Sequence, residues 1–292
     1  MAILAVAPNR TFCRAFGAEA ADVSITDDYA DVNMAAAAND GVTLDFTAQS
    51  KVWAHVIYRA ASGYGSIIRL LDGSTEVFRF FLNAGDADIY LESSLEGDGV
   101  FSVTTSSDVT YDVLLDLDAG NVELYADGSL QWSTTHSFTA TTVDALRITS
   151  QNTNARYREL IVADESTIGM RLDVRTPTGA GASADQVSGT FADVDDQAPD
   201  TASAIVLDTD DRALFTVDAA ATIPSGLVRR AVVVAAEARK GASGPANLRL
   251  TTRSSSTNTD SGQIALSESY ARYQHVFDAA DDPDEIGVVA QT

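Results

Sequence analysis

Hydrophobic and polar positions alternate along much of this chain, most regularly within residues 111–132. Alternation with a period of two is typical of β-strands that have one buried and one solvated face. Residues 119–121 (Ala-Gly-Asn) interrupt the first run, and Asp127-Gly128 follows the second. Asp-Gly tolerates the positive φ angles of a tight hairpin turn. The stretch therefore predicts three antiparallel strands joined by short turns.

The phase of this meander predicts which side chains are buried. The apolar phase, expected to form the spine of a core, contains Tyr111, Val113, Leu115, Val122, Leu124, Leu130 and Trp132. The opposite phase contains Asp112, Asp116 and Asp118, which we expect on a solvated back face. An antiparallel meander with one apolar face needs a second layer to cover it.

Similar strand-like runs fill the rest of the chain. In the first half they are 42–46, 51–59, 67–71, 77–82, 86–91, 100–103, 145–148 and 157–162. In the second half they are 204–207, 213–217, 227–236, 246–251, 262–266 and 272–277. The run 227–236 is rich in alanine as well as valine, and its consecutive valines favour a strand over a helix. Residues 34–38 are compatible with one helical turn before Asn39-Asp40-Gly41.

These patterns predict an all-β protein of two β-sandwich domains. Many short strands at regular spacing, without a long amphipathic helix, are the signature of sandwiches. We expect the first sandwich over residues 1–170 and a smaller second one over residues 189–292. Residues 171–188 are rich in glycine and small polar side chains, so we expect a linker there.

The balance of acidic and basic residues limits the classes of molecule that the protein is expected to bind. The chain has 42 acidic and 19 basic side chains and a net charge of −23. Nucleic acids and anionic membrane surfaces are bound through lysine and arginine, so this balance argues against both partners. We also expect no membrane insertion, because no apolar run approaches the roughly 20 residues that a spanning helix needs. The acidic excess favours a docking partner with a basic surface.

Two local features bear on where the protein is made. Cys13 is the single cysteine, so an intrachain disulfide cannot form, and we expect a small buried side chain there. Residues 1–7 are apolar but short and lack a charged leader, so we expect no cleaved signal peptide. Synthesis in a cytoplasm fits both features.

The first half resembles the laminin-G or concanavalin-A-like jelly-roll family. The resemblance rests on the order of an Asp-alternating strand, the hairpin GNVELYADGSL, then LRITSQN and RELIVAD, over residues 43–164. It implies a two-sheet jelly-roll and a calcium ion at a loop edge. The ligand candidates are Asp86, Asp88, Asp116 and Asp118, since carboxylate oxygens suit calcium. Aspartate on the solvated face of a strand usually has water as its only partner, so we expect no cofactor, with calcium as the one candidate.

The second half resembles the C-terminal β-sandwich of tailed-phage and prophage virion proteins. Residues 194–201 stand where those proteins have an acidic loop, and residues 269–277 stand for their late SY-x-x-Y strand. Gln197 and Ala198 depart from the pattern of that loop, and the chain ends at Thr292 without the family's tryptophan-containing strand. The resemblance implies a component displayed on the surface of a phage particle.

Catalytic motifs are absent from the sequence. His55, His136 and His275 form no metal-ligand spacing, and the G-x-S-x-G nucleophile motif does not occur. The chain also lacks the compact E-x-D-x-x-E strand of glucan-cleaving jelly-rolls. Two carboxylate pairs remain as catalytic candidates only because no better pair is present: Glu92 with Glu96, and Glu76 with Asp72. We therefore expect a non-enzymatic protein.

The leading hypothesis is a virion structural protein, in a tail fibre, baseplate or capsid decoration. It would dock on other virion proteins and on copies of itself, as a trimer or another cyclic oligomer, and adhere to the host surface. The alternative is a lectin-like module that recognises host-surface glycan. Its candidate contacts are Tyr64, which we expect in an exposed turn, together with Tyr58 and Tyr125.

Overall fold

A computed structural model describes residues 2–7, 14–16, 23–26, 29–33, 41–60, 64–103, 107–151, 154–173, 175–194, 204–217, 228–278 and 283–292. The chain divides into two compact units, Met1–Leu172 and Asp173–Thr292.

The first unit consists of fifteen described strands. In chain order they are β1 (Ile3–Ala7), β2 (Arg14–Phe16), β3 (Val23–Thr26), β4 (Tyr29–Asn33), β5 (Gly41–Gln49), β6 (Lys51–Ala60), β7 (Tyr64–Asp72), β8 (Thr75–Asn83), β9 (Asp86–Leu91), β10 (Ser94–Gly97), β11 (Val109–Asp116), β12 (Asn121–Ala126), β13 (Ser129–Thr135), β14 (Val143–Gln151) and β15 (Asn154–Ala163). The predicted run 100–103 forms only a single bridge, between Ser102 and Asp86.

These strands form two antiparallel sheets. Sheet A has the order β13-β12-β11-β6-β15-β4-β3, with β1 also paired to β15. Sheet B has the order β10-β9-β8-β7-β14-β5-β2. The alternating runs of the sequence thus become the strands of two layers, which confirms the predicted all-β sandwich.

One hydrophobic core lies between sheets A and B. Val113 and Leu115 of β11 face it from sheet A, and Phe78 and Phe80 of β8 face it from sheet B, all 0% exposed. Each fully buried side chain of this size contributes roughly 1.5–3 kcal/mol to folding. The period-two pattern is therefore the main determinant of this unit.

The β12–β13 hairpin departs from the predicted phase at one point. Its turn is as predicted, with φ of 47° at Asp127 and 74° at Gly128. Leu124 pairs with Trp132 but Tyr125 pairs with Leu130, so Gln131 is an extra residue in β13. Such a bulge reverses the phase. Trp132 packs against the core, whereas Leu130 is 54% exposed, so the prediction of a core Leu130 is wrong.

The second unit has eight described strands and one turn of 3-10 helix, Phe191–Asp193. The strands are β16 (Pro177–Ala184), β17 (Arg212–Val217), β18 (Ala231–Ala238), β19 (Asn247–Ser254), β20 (Thr257–Asp260), β21 (Ile264–Ala265), β22 (Ala271–Asp278) and β23 (Glu285–Gln291). A six-stranded sheet has the order β16-β17-β23-β19-β20, with β21 paired to β19. The strands β18 and β22 pair with each other. Val234, Leu248, Leu250 and Phe277 form their shared core.

Two sequence predictions for this region need correction. The Gly-rich segment predicted as a linker contains β16, whose backbone pairs with β17. Its small residues fit there because a Cβ at Gly181 would lie 2.7 Å from the Leu214 backbone. The central strand β23 was not predicted at all, although Val288 and Val289 belong to it. The run 227–236 is confirmed as a strand, since β18 begins at Ala231.

Three predictions lie outside the described residues: the helical turn at 34–38, the environment of Cys13 and most of the acidic loop at 194–201. Within the residues that are described, no helix has the length and apolar character needed to cross a membrane.

Candidate functional site

Side chains from five adjacent strands line up across sheet B. Arg79 pairs with Tyr90 on one side and with Arg69 on the other. Arg147 pairs with Arg69 and with Thr43. Residues directly opposite each other in such ladders have Cβ atoms about 4.5–5.5 Å apart on the same face. We name Tyr90, Arg79, Arg69, Arg147 and Thr43 the arginine row.

The row lies on the outer face of sheet B. Phe78 and Phe80, the neighbours of Arg79 along β8, are 0% exposed in the core. Leu70 and Ile148, which follow the other two arginines, also belong to the core. Because successive strand residues point to opposite faces, the arginines point away from it.

One carboxylate holds two of the arginines in place. The Nε of Arg69 donates to Glu76 Oε2 at 2.8 Å, and its Nη2 lies 2.6 Å from the same oxygen. The Nε of Arg79 lies 3.3 Å from Glu76 Oε1, but within the described part of the chain this buried donor has no aligned hydrogen-bond partner. Two guanidinium groups carry ten N–H donors, more than one carboxylate can accept.

An aromatic pair closes one end of the row. The Arg79 guanidinium carbon lies 3.8 Å from the Tyr90 ring centroid and 5.5 Å from that of Phe81. The two rings meet edge to face, with centroids 6.4 Å apart. A cation over a ring at this distance gains about 0.5–2 kcal/mol. Both rings and the arginines are half-buried, so their orientation is held by their neighbours.

At the other end Arg147 Nε donates to Thr43 Oγ1 at 3.1 Å. Asp45, two residues along β5, is exposed on the same face. Asp88 lies opposite Phe81 and is 3% exposed. Asp45, Asp88 and Glu76 therefore lie on the same face of sheet B as the three arginines.

The arginine row was not predicted from the sequence, although a signal for it exists. Each arginine is the single charge within a five-residue, largely apolar stretch of its strand, in IIRLL, VFRFF and ALRIT. A charge that interrupts a continuous apolar run marks a strand with one core face and one polar outer face. The alignment of the three charges depends on register between strands that are distant in sequence.

The outer face of sheet A contains a buried polar cluster. His55 Nδ1 and Asp112 Oδ1 are 2.8 Å apart, and both side chains are 0% exposed. Thr167 Oγ1 donates to the same Asp112 oxygen at 2.7 Å. Among the described residues, His55 Nε2 and Asp112 Oδ2 have no hydrogen-bond partner. The prediction that Asp112 is solvated is therefore wrong, because a segment after β15 covers it.

That segment, residues 164–172, is named the strap. Thr167 is buried over Asp112, and Ile168 lies near the β12–β13 turn, where a Cβ at Gly128 would be 3.5 Å from its Cγ2. Glu159 anchors the end of the strap. It accepts two hydrogen bonds from Arg171, at 2.8 and 2.9 Å, and one from the Leu172 N–H at 3.1 Å.

The three tyrosines predicted to contact glycan are not brought together. Tyr58 is 2% exposed in the core between the sheets, so it cannot contact a ligand and that prediction is wrong. Tyr125 lies on the outer face of sheet A, beside Trp53 at 5.7 Å between ring centroids. Its hydroxyl donates to Glu123, which raises the pKa of Tyr125 to about 12. Tyr64 is the first residue of β7 and not part of a turn; its side chain is outside the described set.

The four predicted calcium ligands separate into two pairs on different sheets. Asp86 and Asp88 belong to β9 of sheet B, and Asp88 accepts bonds at 2.9 Å from Asn83 Nδ2 and the Gly99 N–H. Asp116 and Asp118 lie at the end of β11 in sheet A. Within the described residues, no group of three or more acidic, histidine or cysteine side chains could hold a metal ion.

Asp116 and Asp118 each have a protein partner at this edge. Asp116 pairs with Lys51 at 3.1 Å, and Asp118 accepts a bond from Ser50 Oγ at 2.7 Å. Burial opposes ionisation of Asp116, but the Ala119 N–H and Lys51 lower its pKa overall. These contacts stabilise the end of β11.

Of the carboxylates considered as catalytic pairs, Glu76 binds two arginines of the arginine row and Glu92 has a structural role. Glu92 accepts bonds from the Thr139 hydroxyl and from the N–H groups of Thr139 and Ala140. Burial opposes ionisation of Glu92, but these hydrogen bonds and nearby His136 lower its pKa overall. The ionised carboxylate thereby fixes the segment between β13 and β14.

No family model matches the sequence, and no curated protein matches it either. Solved structures do. A Bacillus licheniformis β-glucanase matches 56% of this chain and 99% of its own, at 12% identity and a TM-score of 0.44. A sialidase matches 49% of this chain but 16% of its own length, at 13% identity and a TM-score of 0.43. A Caenorhabditis elegans galectin matches 42% of this chain and 90% of its own, at 11% identity and a TM-score of 0.33.

Likeness at these identities shows the fold alone: a concanavalin-A-like jelly-roll sandwich. Nothing among the comparisons shows a phage origin. The prediction of a non-enzymatic protein is corrected: the similar structures include a glucanase and a sialidase, so this fold gives no ground for excluding catalysis. The absence of familiar catalytic motifs was too weak a basis for excluding catalysis. The family resemblance of the first half thus holds at the level of the fold.

Proposed function

We propose that the first unit binds carbohydrate on the outer face of sheet B, across the arginine row. The observation that carries the proposal is the alignment of an aromatic ring and three guanidinium groups on four adjacent strands. Sugar rings present both apolar C–H faces and hydroxyl groups. An aromatic ring suits the former, and N–H donors suit the latter.

The contacts within the row make it suitable for binding. Glu76 holds Arg69, and the Tyr90 ring holds Arg79, so the two guanidinium groups are oriented before a ligand arrives. A site ordered in advance loses less conformational freedom on binding. The row also lies on paired strands of a sheet, where backbone motion is small.

The proposal is tested on an array of bacterial and host polysaccharides with the full chain and two tyrosine variants. Tyr90→Ala removes the ring under Arg79, so we expect binding to fall by about 10-fold or more. Tyr125→Ala is the matched control, since Tyr125 is half-buried on the outer face of the other sheet. Its binding should equal that of the unchanged protein.

Two results would count against this assignment. Loss of binding in Tyr125→Ala with full binding in Tyr90→Ala would move the site to sheet A. Failure of the folded, unchanged protein to bind any polysaccharide on the array would refute carbohydrate binding itself. Circular dichroism spectra of both variants establish that they are folded.

A second candidate function, a surface component of a tailed-phage particle, is supported by the sequence resemblance of the second half. The stretch 269–277, which stands for the late strand of those virion proteins, contains most of β22. In this role the protein would dock on other virion proteins and on copies of itself, as a trimer or another cyclic oligomer. Adhesion to host glycan would join the two candidate functions.

Labelling purified particles with an antibody against this chain tests the virion candidate. Label on the capsid or the tail is the expected result. Particles that carry no label, from a host that expresses the chain, would exclude it. Mass measurement of protein released from particles gives the oligomer, and a monomer would refute the cyclic assembly.

A further inference from the structure

The arginine row places like charges directly opposite each other. Arg79, Arg69 and Arg147 occupy paired positions on three neighbouring strands, and like charges in such positions repel and destabilise a sheet. The whole chain has 19 basic side chains against 42 acidic ones, so three basic groups in one row are a marked local concentration. Glu76 offsets part of this repulsion through its contacts with Arg69 and Arg79, and a bound anion would offset more of it.

From this charge pattern we propose that the ligand is an acidic polysaccharide whose sugar residues carry carboxylates, that is, a polyuronate. The inference rests on the proposed carbohydrate-binding function and names its substrate class. Arginine binds carboxylates through pairs of N–H donors, and such charge-assisted bonds are stronger than bonds between neutral groups.

The spacing of the row favours a polyuronate over an isolated anion. Neighbouring strands lie about 4.8 Å apart, so the three guanidinium groups recur across the sheet at close to the length of one sugar residue. A chain of uronic acids laid across the strands offers carboxylates at a regular interval of this order. Glu76 neutralises part of the charge of Arg69 and Arg79. The row should therefore bind a long ligand that makes several weak contacts along it more tightly than a single multivalent ion.

The aromatic end of the row favours a sugar over an acidic peptide. Tyr90 and Phe81 lie beside Arg79, so a sugar whose carboxylate reaches this guanidinium would lie next to aromatic side chains that its C–H groups can contact. An acidic peptide has no apolar ring at each repeat. We therefore assign the aromatic pair to contact with the sugar ring and the arginines to recognition of carboxylates.

The closing experiment compares polygalacturonate with the same polymer after its carboxylates have been reduced to alcohols. Binding to the full chain is measured by titration calorimetry at low salt and at 0.5 M NaCl. We expect at least a 10-fold preference for the carboxylated polymer, weakened by salt because exposed charges are screened. Poly-L-glutamate is the peptide comparison, and we expect it to bind at least 10-fold more weakly.

Two variants locate the effect. Arg69→Gln and Arg147→Gln should each lose about 10-fold in affinity for polygalacturonate and little for the reduced polymer. Arg59→Gln is the matched control: it removes one arginine from the outer face of sheet A, where Arg59 pairs with Asp108 at 2.7 Å. Its affinity should not change.

The possible results distinguish failure of this inference from failure of the proposed carbohydrate-binding function. Equal binding of the two polymers, lost in Tyr90→Ala, would keep carbohydrate binding and overturn the acidic class. Equal binding of poly-L-glutamate would overturn the polysaccharide. If the protein binds neither polymer but binds another glycan on the array, the inference alone is refuted. If it also binds no glycan on the array, both the inference and the proposed function are refuted.

Discussion

Asp112 fits the alternating pattern of its strand, but the exposure that this pattern predicts for it is wrong. It stands in the polar phase of β11, which predicts exposure, yet it is 0% exposed because the strap covers it, and it bonds to His55 and Thr167. Strand periodicity separates two faces, but it does not tell whether a later segment covers the polar one. The same limit applies to Leu114, on that outer face and 7% exposed.

Replacement of Asp112 by alanine should destabilise the first unit by roughly 1–3 kcal/mol, since it leaves the His55 and Thr167 donors buried without a partner. Urea unfolding, followed by tryptophan fluorescence, measures this loss. Asp98→Ala is the control, because Asp98 is exposed and surface substitutions usually change stability by less than about 0.5 kcal/mol. Equal effects of the two substitutions would contradict the buried cluster.

At the scale of elements, bulges decide where side chains point. The extra residue in β13 exposes Leu130, and a register shift in β15 between Arg158 and Ile161 accommodates Glu159, whose φ is 55°. That shift is next to the contacts by which Glu159 holds the strap. Irregular positions therefore connect the regular sheet to the segment that covers its outer face.

The Glu159 contacts predict acid sensitivity of the strap. Burial opposes ionisation, but Arg171 and the Leu172 N–H lower the pKa of Glu159 below its ordinary 4.5. A carboxylate with a lowered folded pKa stabilises the fold fully above its unfolded value and loses that contribution as pH falls through the folded one. We expect hydrogen exchange of residues 164–172 to quicken, relative to intrinsic rates, as pH falls below about 4.5.

Glu159→Gln is the test variant for that prediction. It should show weak protection of the strap already at pH 7 and a smaller change on acidification, because glutamine does not titrate. Arg171→Gln should behave similarly at neutral pH. Unchanged protection of the strap in both variants would refute the anchoring role.

At the scale of the whole molecule, each unit has its own core. The core between sheets A and B contains large aromatic side chains such as Phe78, Phe80 and Tyr111, while the core of the second unit centres on four buried residues, among them Leu250 and Phe277. Stability grows with the apolar area that folding buries. The second unit should therefore be the less stable one.

Calorimetry of the full chain should show two unfolding transitions, with the second unit melting first. Leu250→Ala, in a fully buried position of that unit, should lower the first transition and leave the second within error. Phe80→Ala is the matched change in the first unit and should lower the second transition. A single transition shifted by both substitutions would contradict separate cores.

The sequence by itself determined the fold class and most strands of the first unit, because a period of two is encoded by neighbouring residues. It also determined the Asp127-Gly128 turn, whose geometry depends on two residues. Local pattern failed in the second unit, where small residues that resemble a linker form β16 because β17 lies close beside them.

Only the tertiary structure decided the two sites. Arg147 and Thr43 are 104 residues apart in sequence, and Asp112 and Thr167 are 55 apart. The arginine row depends on the register of four strand pairs, and the buried cluster depends on the path of the strap. Both are set by free energies of packing between distant segments, which no local pattern contains. The sequence therefore shows that a sandwich forms, and the register of its strands decides which side chains meet on its outer faces.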